Sequence, residues 1–206
     1  MRSILFVIAL FGSFSAFAGE QIRNVTSFTS IRSQGAMVVY VEVGKPLSVR
    51  VVGDDKTLSK VSTDVFGEEL LISFKEKHSL RSSEALTIYV SMPNLTRYKM
   101  EGAGKTIVNN VQGDSLTLLY EGVGMLSVNG KVKNLKLSAE GIGMVDAKNL
   151  IADDVNASVE GIGSVRVFAT EKLVASVDGI GSLHYYGNPR SIKKTISGIG
   201  SVKQGD

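Results

Sequence analysis

Five acidic residues at a nearly constant spacing are the most regular chemical feature of this sequence. Each stands directly before a Gly-x-Gly unit, and the five residues are Glu101, Glu121, Glu140, Glu160 and Asp178. If each repeat forms one layer of stacked strands, neighbouring Cα atoms in this row lie roughly 5 Å apart. Carboxylates that close together repel and raise each other's pKa unless cations or hydrogen-bond donors intervene. The row is therefore a candidate binding site for Ca²⁺ or for a basic partner.

The alternative interpretation of this acidic row is a solvated surface feature. Its carboxylates could pair with Lys99, Lys136 and Lys193 or accept hydrogen bonds from turn amides. Calcium favours several hard oxygen ligands around one ion, and a single column offers few of them. We therefore assign no metal ligand and expect the melting temperature to be indifferent to added Ca²⁺ and to chelation.

The remaining reactive residue types do not form a catalytic constellation. The only histidines are His78 and His184, and cysteine is absent, so neither a metal cluster nor a Ser-His-Asp arrangement is indicated. No Gly-x-Gly unit precedes a helical pattern, which excludes a nucleotide-binding loop. We predict no catalytic residue, no cofactor and no enzymatic activity. The alternative is a carbohydrate-active β-helix enzyme, such as a polysaccharide lyase or hydrolase, but uninterrupted repeats leave no loops to build a cleft.

Smaller surface features are candidates for contacts rather than chemistry. Met125 and Met144 follow the glycine pair in successive repeats and predict a small outward apolar patch. Tyr185 and Tyr186 are adjacent, so one faces inward and the other could stack on a sugar.

The Gly-x-Gly unit itself recurs six times, with first glycines 18 to 20 residues apart. Its glycines are Gly102 and Gly104, Gly122 and Gly124, Gly141 and Gly143, Gly161 and Gly163, Gly179 and Gly181, and Gly198 and Gly200. Between the units apolar and polar residues alternate, as in Leu116, Leu118 and Tyr120, which is the pattern of half-buried strands. A fixed period near 20 residues indicates stacked repeats. We predict an all-β, right-handed parallel β-solenoid (β-helix) with coils of about 19–20 residues and an irregular amino-terminal β cap.

The residue between the two glycines is expected to face the core, with the glycines facing outward. This row comprises Ala103, Val123, Ile142, Ile162, Ile180 and Ile199. On this expectation, truncating Ile162 to Ala opens a cavity and costs about 2–5 kcal/mol. Ile199 in the last coil should matter less, and Ser158, on the outward parity, should matter little.

The amino-terminal residues resemble a secretory signal peptide. Arg2 precedes an apolar run over residues 4–14, and Ala16-Phe17-Ala18 offers small residues for cleavage between Ala18 and Gly19. The run is shorter than the roughly 20 apolar residues that a membrane span needs. We predict export to the periplasm, the cell surface or beyond, with no transmembrane segment in the mature chain.

Residues 19–96 read as an irregular amino-terminal cap with the first coils, and residues 97–206 as the repeat solenoid. Strands are predicted over 36–44, 47–53, 58–65, 70–74 and 86–93, with a polar loop over 75–83. The alternative is that the first segment forms a separate β-sandwich domain.

Composition limits the class of partner. The formal charge of +3 falls to +2 without Arg2, which argues against a nucleic-acid footprint. Without cysteine, an exported chain must be stabilised by its sheet core rather than by disulfides.

A set of segments from about Val25 to Val202 is specific when taken together. The segments are Val38-Val39-Tyr40-Val41, Leu70-Leu71-Ile72, Val90-Ser91-Met92-Pro93-Asn94-Leu95, Glu101-Gly102-Ala103-Gly104 with its five repeats, and Tyr186-Gly187-Asn188-Pro189. In these segments the sequence resembles the bacterial head GIN domain family, known as putative auto-transporter adhesin heads and as a domain of unknown function. The family usually has serine before the glycine pair and alanine inside it, where most repeats here have an acid and isoleucine.

This resemblance implies an exported, all-β, solenoid-like protein. We interpret the chain as a non-enzymatic cell-envelope protein, adhesin-like or structural, that presents a regular surface. Its expected partners are an envelope protein or a surface glycan but not nucleic acid, and a homo-oligomer could form through the carboxyl-terminal coil.

Overall fold

The computed structural model describes residues 19–75 and 86–206, and these are almost entirely β-structure, as predicted. The proposed signal peptide up to Ala18 lies outside the described residues, as do His78 and most of the loop predicted over 75–83. The elements in chain order are β1 (Gly19–Arg23), β2 (Ser30–Val43), β3 (Ser48–Gly53), α1 (Asp55–Lys60), β4 (Val61–Phe66), β5 (Glu69–Phe74), β6 (Thr87–Met92), β7 (Arg97–Gly179), β8 (Ser182–Tyr186), β9 (Ser191–Gly198) and β10 (Ser201–Gln204).

One mixed sheet, which does not close on itself, connects these strands. Its main path is β1-β3-β6-β2-β7-β8-β10, with β4 and β5 branching from β2 and with β9 pairing on β7. Pairs within the repeat region and along β2 are parallel, whereas β1, β3 and β4 add antiparallel pairs at the amino-terminal end. The strand pairs between β7, β8, β9 and β10 are thus parallel, as predicted, whereas strand pairs of both directions occur before Arg97.

Strand β2 begins at Ser30, ahead of the strand predicted over 36–44, and lies in register with the first glycine repeat. It pairs with β7 in parallel over thirteen positions, with Gln34 opposite Glu101 and Gly35 opposite Gly102. At the place of the second glycine it carries Met37, opposite Gly104, so the Gly-x-Gly pattern is incomplete there.

The 83-residue strand β7 carries the alternating pattern through four of the glycine pairs and into a fifth. The buried positions in its second repeat are Leu116, Leu118, Tyr120, Leu126 and Val128. Consecutive repeats lie against each other at the glycine corners, where Gly141 faces the carbonyl oxygen of Gly122 and Gly161 faces that of Gly141.

The prediction that the residue between the two glycines faces the core was wrong. Ile142, Ile162 and Ile180 are 54%, 53% and 59% exposed, and Val123 and Ile199 are also exposed. The glycines continue the every-second-residue series of buried Leu137 and Ala139, but Gly141 is itself exposed and Gly143 is only half-buried, so neither residue type of the corner lies in the core.

The close approach of the preceding repeat explains why glycine stands at these corners. A Cβ on Gly141 would lie less than 3.0 Å from the carbonyl oxygen of Gly122, and its φ of +125° favours glycine as well. On Gly143 a Cβ would meet the oxygen of Gly124 and the hydroxyl of Tyr120. The bulky residue between the glycines consequently points to solvent.

The amino-terminal end of the core is covered by α1, where a strand was predicted over 58–65. Residues 55–60 are helical because Asp54 caps the helix and accepts a hydrogen bond from the Thr57 amide at 2.9 Å. Leu58, which is 1% exposed, is buried where α1 packs against β1 and β3. Only the second half of the predicted segment, β4, is a strand.

The carboxyl-terminal end is open by comparison. In β9 the side chains of Ile192 and Ile196 lie opposite buried Leu173 and Val177, yet they are 43% and 49% exposed. No described strand lies beyond β9 on this side of the sheet, so these inward positions are covered from one side only.

Candidate functional site

The acidic row occupies half-buried to exposed positions directly before the first glycine of each corner. Gln34 of β2 adds a polar position below it, opposite Glu101, and Ser197 of β9 adds one above it, opposite Asp178. The row therefore runs along the whole stack of repeats, but its members have different surroundings.

Glu101 is the most enclosed member of the row, with its side chain 18% exposed. Arg32 donates from Nε to Oε2 at 2.7 Å and from Nη2 to Oε1 at 3.0 Å, and Gln34 also donates to Oε2. Lys99 Nζ lies 2.7 Å from Oε1. Burial opposes the charged form, but the hydrogen bonds from Arg32, Lys99 and Gln34 outweigh it and lower the pKa of Glu101 to about 2.

Lys99 joins the first two acids of the row. Its Nζ lies 2.7 Å from Glu101 Oε1 and 2.8 Å from Glu121 Oε1. The hydrogen bonds that Lys99 donates to Glu101 and, to a smaller extent, to Glu121 raise the pKa of Lys99. One cation therefore relieves the repulsion between two adjacent carboxylates, as the solvated-row interpretation anticipated for Lys99.

The later members of the row are exposed and lack such cations. Ser138 Oγ lies 3.5 Å from Glu140 Oε1, and Ser158 Oγ lies 3.4 Å from Glu160 Oε1. Within residues 19–75 and 86–206 no ion pair joins Glu140, Glu160 or Asp178 to a basic side chain, and the pairs considered with Lys136 and Lys193 are not formed. The row thus divides into a paired amino-terminal part and an unpaired carboxyl-terminal part.

A cation site is not assembled by this row. Across the part of the chain that the structure describes, no group of three or more Asp, Glu or His side chains is arranged to hold a metal ion. The carboxylates follow one another along a line rather than converging on one point, which is poor geometry for Ca²⁺.

A groove at the opposite end of the same face was not foreseen from the sequence. It encloses about 250 Å³ and crosses four consecutive repeats. Its polar lining is Ser115, Thr117, Asn134, Lys136, Asp154, Asn156 and Lys172. The signal in the sequence was the recurrence of polar residues seven positions, and mostly also five positions, before the first glycine of these four repeats, which alternation reports only as an outward face.

The groove is polar but is not a hydrolytic site of the usual kind. Asp154 is its only carboxylate among the described residues, whereas glycosidases use two carboxylates facing each other across the bond. Amide, hydroxyl and ammonium groups from successive repeats can instead hydrogen-bond an extended polar chain.

An aromatic patch lies on the amino-terminal strands. Tyr40 and Tyr89 stack with ring centroids 5.2 Å apart, and the Arg50 guanidinium lies 4.0 Å above the Tyr89 ring. Because both faces of the Tyr89 ring are covered by the protein itself, it is not free to stack on a sugar.

The other residues singled out in the sequence remain apart from these features. Tyr185 is buried and Tyr186 is partly exposed, as alternation predicted, and His184 lies outward beside them on β8. Met125 is 37% exposed at the glycine corners. Among the residues described, no helix has the length and apolar character to cross a bilayer.

Solved structures share this fold. A putative adhesin from Bacteroides fragilis is 24% identical, with 92% of this chain and 98% of that chain covered and a TM-score of 0.74. A putative lipid binding protein from Parabacteroides distasonis is 19% identical over 93% and 98% of the two chains, with a TM-score of 0.51. A putative adhesin from Parabacteroides merdae is 16% identical over 93% and 97%, with a TM-score of 0.51. At these identities the likeness concerns the fold alone.

No curated protein matches the sequence. The profile of the family described as "Putative auto-transporter adhesin, head GIN domain" matches residues 27–189, most of the chain and all but the last of its glycine pairs. This confirms the resemblance drawn from the repeats, and the chain belongs to the head GIN domain family.

Proposed function

We propose that this protein is an exported, non-enzymatic, adhesin-like binding module of the cell envelope, and that it binds an extended surface glycan in the groove across its repeats. The groove carries the proposal, because its polar side chains come from four consecutive repeats and lie in one line. The family description and the names of the structural neighbours, several of them putative adhesins, support the same class of function.

The scaffold in this proposal is a right-handed parallel β-solenoid over residues 97–206, with residues 19–96 as its amino-terminal cap and first coils. Parallel registers between β7, β8, β9 and β10 and the contacts between successive glycine corners support it. Such a stack holds outward side chains about 4.8 Å apart in fixed rows, which suits a ligand that is itself a repeating chain.

The chemistry of the groove indicates the kind of glycan. Asn134, Asn156 and Asp154 can exchange hydrogen bonds with sugar hydroxyls, and Lys136 and Lys172 can neutralise carboxylates or other acidic substituents. An extended glycan with acidic sugars therefore fits better than a short neutral one.

The test is binding of the exported chain to purified polysaccharides, neutral and uronate-containing, by titration calorimetry. We expect the uronate-containing chains to bind and the double variant Asn156→Ala with Lys136→Ala to weaken binding by at least about tenfold. Lys131→Ala, an exposed lysine outside the groove, is the matched control. The groove would be rejected as a glycan site if no polysaccharide bound, or if the double variant bound as tightly as the Lys131→Ala control.

The alternative of a carbohydrate-active enzyme is tested by incubating the same polysaccharides with the protein and analysing their length. Shortened or unsaturated products after prolonged incubation would establish a hydrolase or lyase and would replace the binding-module proposal. We expect the polysaccharide to remain intact, because one carboxylate without an opposed partner does not provide acid–base catalysis.

Export and processing form part of the proposal. Residues 1–18 are proposed to be a signal peptide removed between Ala18 and Gly19, leaving the protein in the periplasm or on the cell surface. Intact mass of the envelope fraction should correspond to a chain beginning at Gly19, and an intact Met1 terminus there would contradict this.

Self-association through the carboxyl-terminal repeat is proposed from the uncovered Ile192 and Ile196 of β9. Sedimentation should show a concentration-dependent oligomer that the double variant Ile192→Thr with Ile196→Thr dissociates. A monomer at all concentrations would remove this part of the proposal and leave the glycan site unaffected.

A further inference from the structure

An exposed apolar row follows the glycine corners from one end of the repeats to the other. We call it the corner ridge and define it by Val123, Ile142, Ile162, Ile180 and Ile199. Its members are between 53% and 83% exposed. Single exposed apolar residues are ordinary in soluble proteins, but a continuous row of them usually marks an interaction surface.

Folding does not require large side chains at these positions. The glycines allow the close approach of successive repeats at each corner, and the side chain between them is more than half exposed at all five corners of the ridge. Ala103 at the first corner shows that a small side chain is compatible with the same backbone path, since it lies in register with Ala36 of β2. The isoleucines at the later corners are therefore not explained by packing.

The charges beside the corner ridge change along its length together with the size of its residues. At the first corner, Glu101 is neutralised by Arg32 and Lys99 and is followed by Ala103. At the third, fourth and fifth corners the acids Glu140, Glu160 and Asp178 have no cation among the described residues and are followed by isoleucine. Exposed isoleucines and unneutralised carboxylates thus occur together in three consecutive repeats.

The backbone at the corner ridge is already paired between repeats. The Ile180 amide donates to the Gly161 carbonyl at 3.0 Å, and the Ile199 amide donates to the Gly179 carbonyl at 2.9 Å. An extended strand laid on the ridge would find no free backbone groups to pair with. A helix satisfies its own backbone and contacts a surface through side chains alone.

The spacing of the ridge also suits a helix. Three repeats at about 4.8 Å place Ile142 and Ile180 about 9.6 Å apart, whereas two turns of an α-helix rise about 10.8 Å. One apolar residue per helical turn can therefore contact one isoleucine per repeat. Over the distance from Ile142 to Ile180, the helix and the ridge differ in length by about 1.2 Å.

We propose that the corner ridge over residues 140–180 is a docking surface for a basic amphipathic helix of a partner protein. The apolar stripe of that helix packs on Ile142, Ile162 and Ile180, and Lys or Arg side chains along one edge of the stripe pair with Glu140, Glu160 and Asp178. This surface is separate from the glycan groove, which lies six to eight residues earlier in each repeat, and neither site depends on the other.

The probe for this proposal is a synthetic helical peptide of about 18 residues, long enough to form a helix on binding, with leucine on one face and lysine beside it. Its binding to the exported chain is measured by fluorescence anisotropy at low and high salt. We expect micromolar affinity at low salt that weakens as salt rises, because the flanking ion pairs are exposed.

Two variants of the protein separate the apolar from the ionic part. The triple variant Ile142→Thr, Ile162→Thr and Ile180→Thr should weaken binding at least about tenfold at every salt concentration. The triple variant Glu140→Gln, Glu160→Gln and Asp178→Asn should weaken it at low salt only. Ile151→Thr, at an exposed isoleucine away from the ridge, is the matched control and should bind as the parent does.

Each other outcome overturns the proposal. Equal binding by the isoleucine variant, or equal binding of a peptide with lysine replaced by glutamate, would show that the ridge does not recognise this chemistry. An oligomer of the parent that the isoleucine variant dissociates would mean that a second copy covers the ridge. Ridge-dependent binding to phosphatidylglycerol vesicles would identify a lipid surface instead. Circular dichroism of each variant verifies that it is folded before its affinity is compared.

Discussion

Gly141 and Ile142 are neighbours in the sequence but have different surroundings, since the glycine faces the backbone of the preceding repeat and the isoleucine faces solvent. Inside the corner, successive repeats approach so closely that the space of a methyl group is already taken by the carbonyl oxygen of Gly122. Outside it, a side chain as large as isoleucine is more than half exposed. The difference teaches that backbone proximity, and not side-chain hydrophobicity, decides which residue type can stand at each position of a tight corner.

The inside of the corner should show the largest effect. Gly141→Ala combines a positive φ with a contact shorter than 3.0 Å to backbone, so we expect a loss of more than about 3 kcal/mol in the free energy of unfolding. Urea denaturation measures it. A loss below about 1 kcal/mol would show that the corners can move apart and would weaken the comparison.

Truncating a buried residue between the corners should give the second largest loss of unfolding free energy. Leu137 is 2% exposed with repeats on both sides, and Leu137→Ala should cost about 2–5 kcal/mol. Ile192→Ala, at the open end where one neighbour covers the side chain, should cost clearly less. Equal losses in urea denaturation would indicate that a second subunit covers the carboxyl-terminal end.

The outward acidic row should give a smaller effect that depends on pH and on position. Glu101 has its folded pKa lowered to about 2 from an ordinary value of 4.5, so its stabilisation is present above pH 4.5 and is lost as the pH falls through about 2. Glu101→Gln should therefore lower the melting temperature at pH 7, with the gap to the parent closing between pH 4.5 and 2.

Glu160→Gln is the matched control for the acidic row, because Glu160 is exposed and without a cation among the described residues. Its melting temperature should follow that of the parent throughout the same pH range. If both variants behave alike, the division of the row into a paired and an unpaired part is incorrect.

The outside of the corner should show the smallest effect on stability. Ile162→Ala removes a side chain that is 53% exposed, so the change in unfolding free energy should stay within about 0.5 kcal/mol. Val159→Ala, at a buried position three residues earlier, should cost more in the same urea measurement. If Ile162→Ala costs about 2 kcal/mol or more, the ridge is packed against part of the protein in solution.

Periodicity alone was enough to predict the β-structure, the repeat and the alternating rows. Counting by twos from Leu137 to Val145 gives the buried face on both sides of the corner and leaves Ile142 off it, although Gly141 within the series is exposed. The isoleucines were nevertheless expected inside because apolar side chains usually are buried. Nothing in one repeat reveals how closely the next repeat approaches it.

Contacts between segments far apart in the sequence could not be predicted from the repeat pattern. Arg32 and Gln34 reach Glu101 across 69 and 67 residues of sequence, through the pairing of β2 with β7. Helix α1 follows from Asp54 acting as a cap, a local signal that the alternation of Leu58 and the residues after it concealed. The groove depends on how four repeats curve together, which no single repeat encodes.

The open edge at β9 has a consequence for how such a protein is made and how it changes. Strands that pair in the repeats come from segments 18–20 residues apart, as Leu173 and Ile192 are, whereas the covered end is built from the earliest residues. A chain that emerges amino terminus first can complete that covered end and then add one repeat at a time to a finished edge. Duplication or loss of a whole repeat ahead of β9 would lengthen or shorten the groove and the ridge together while leaving both ends intact. The length of both binding surfaces can therefore change with the number of repeats, without any change in the residues that cover the two ends.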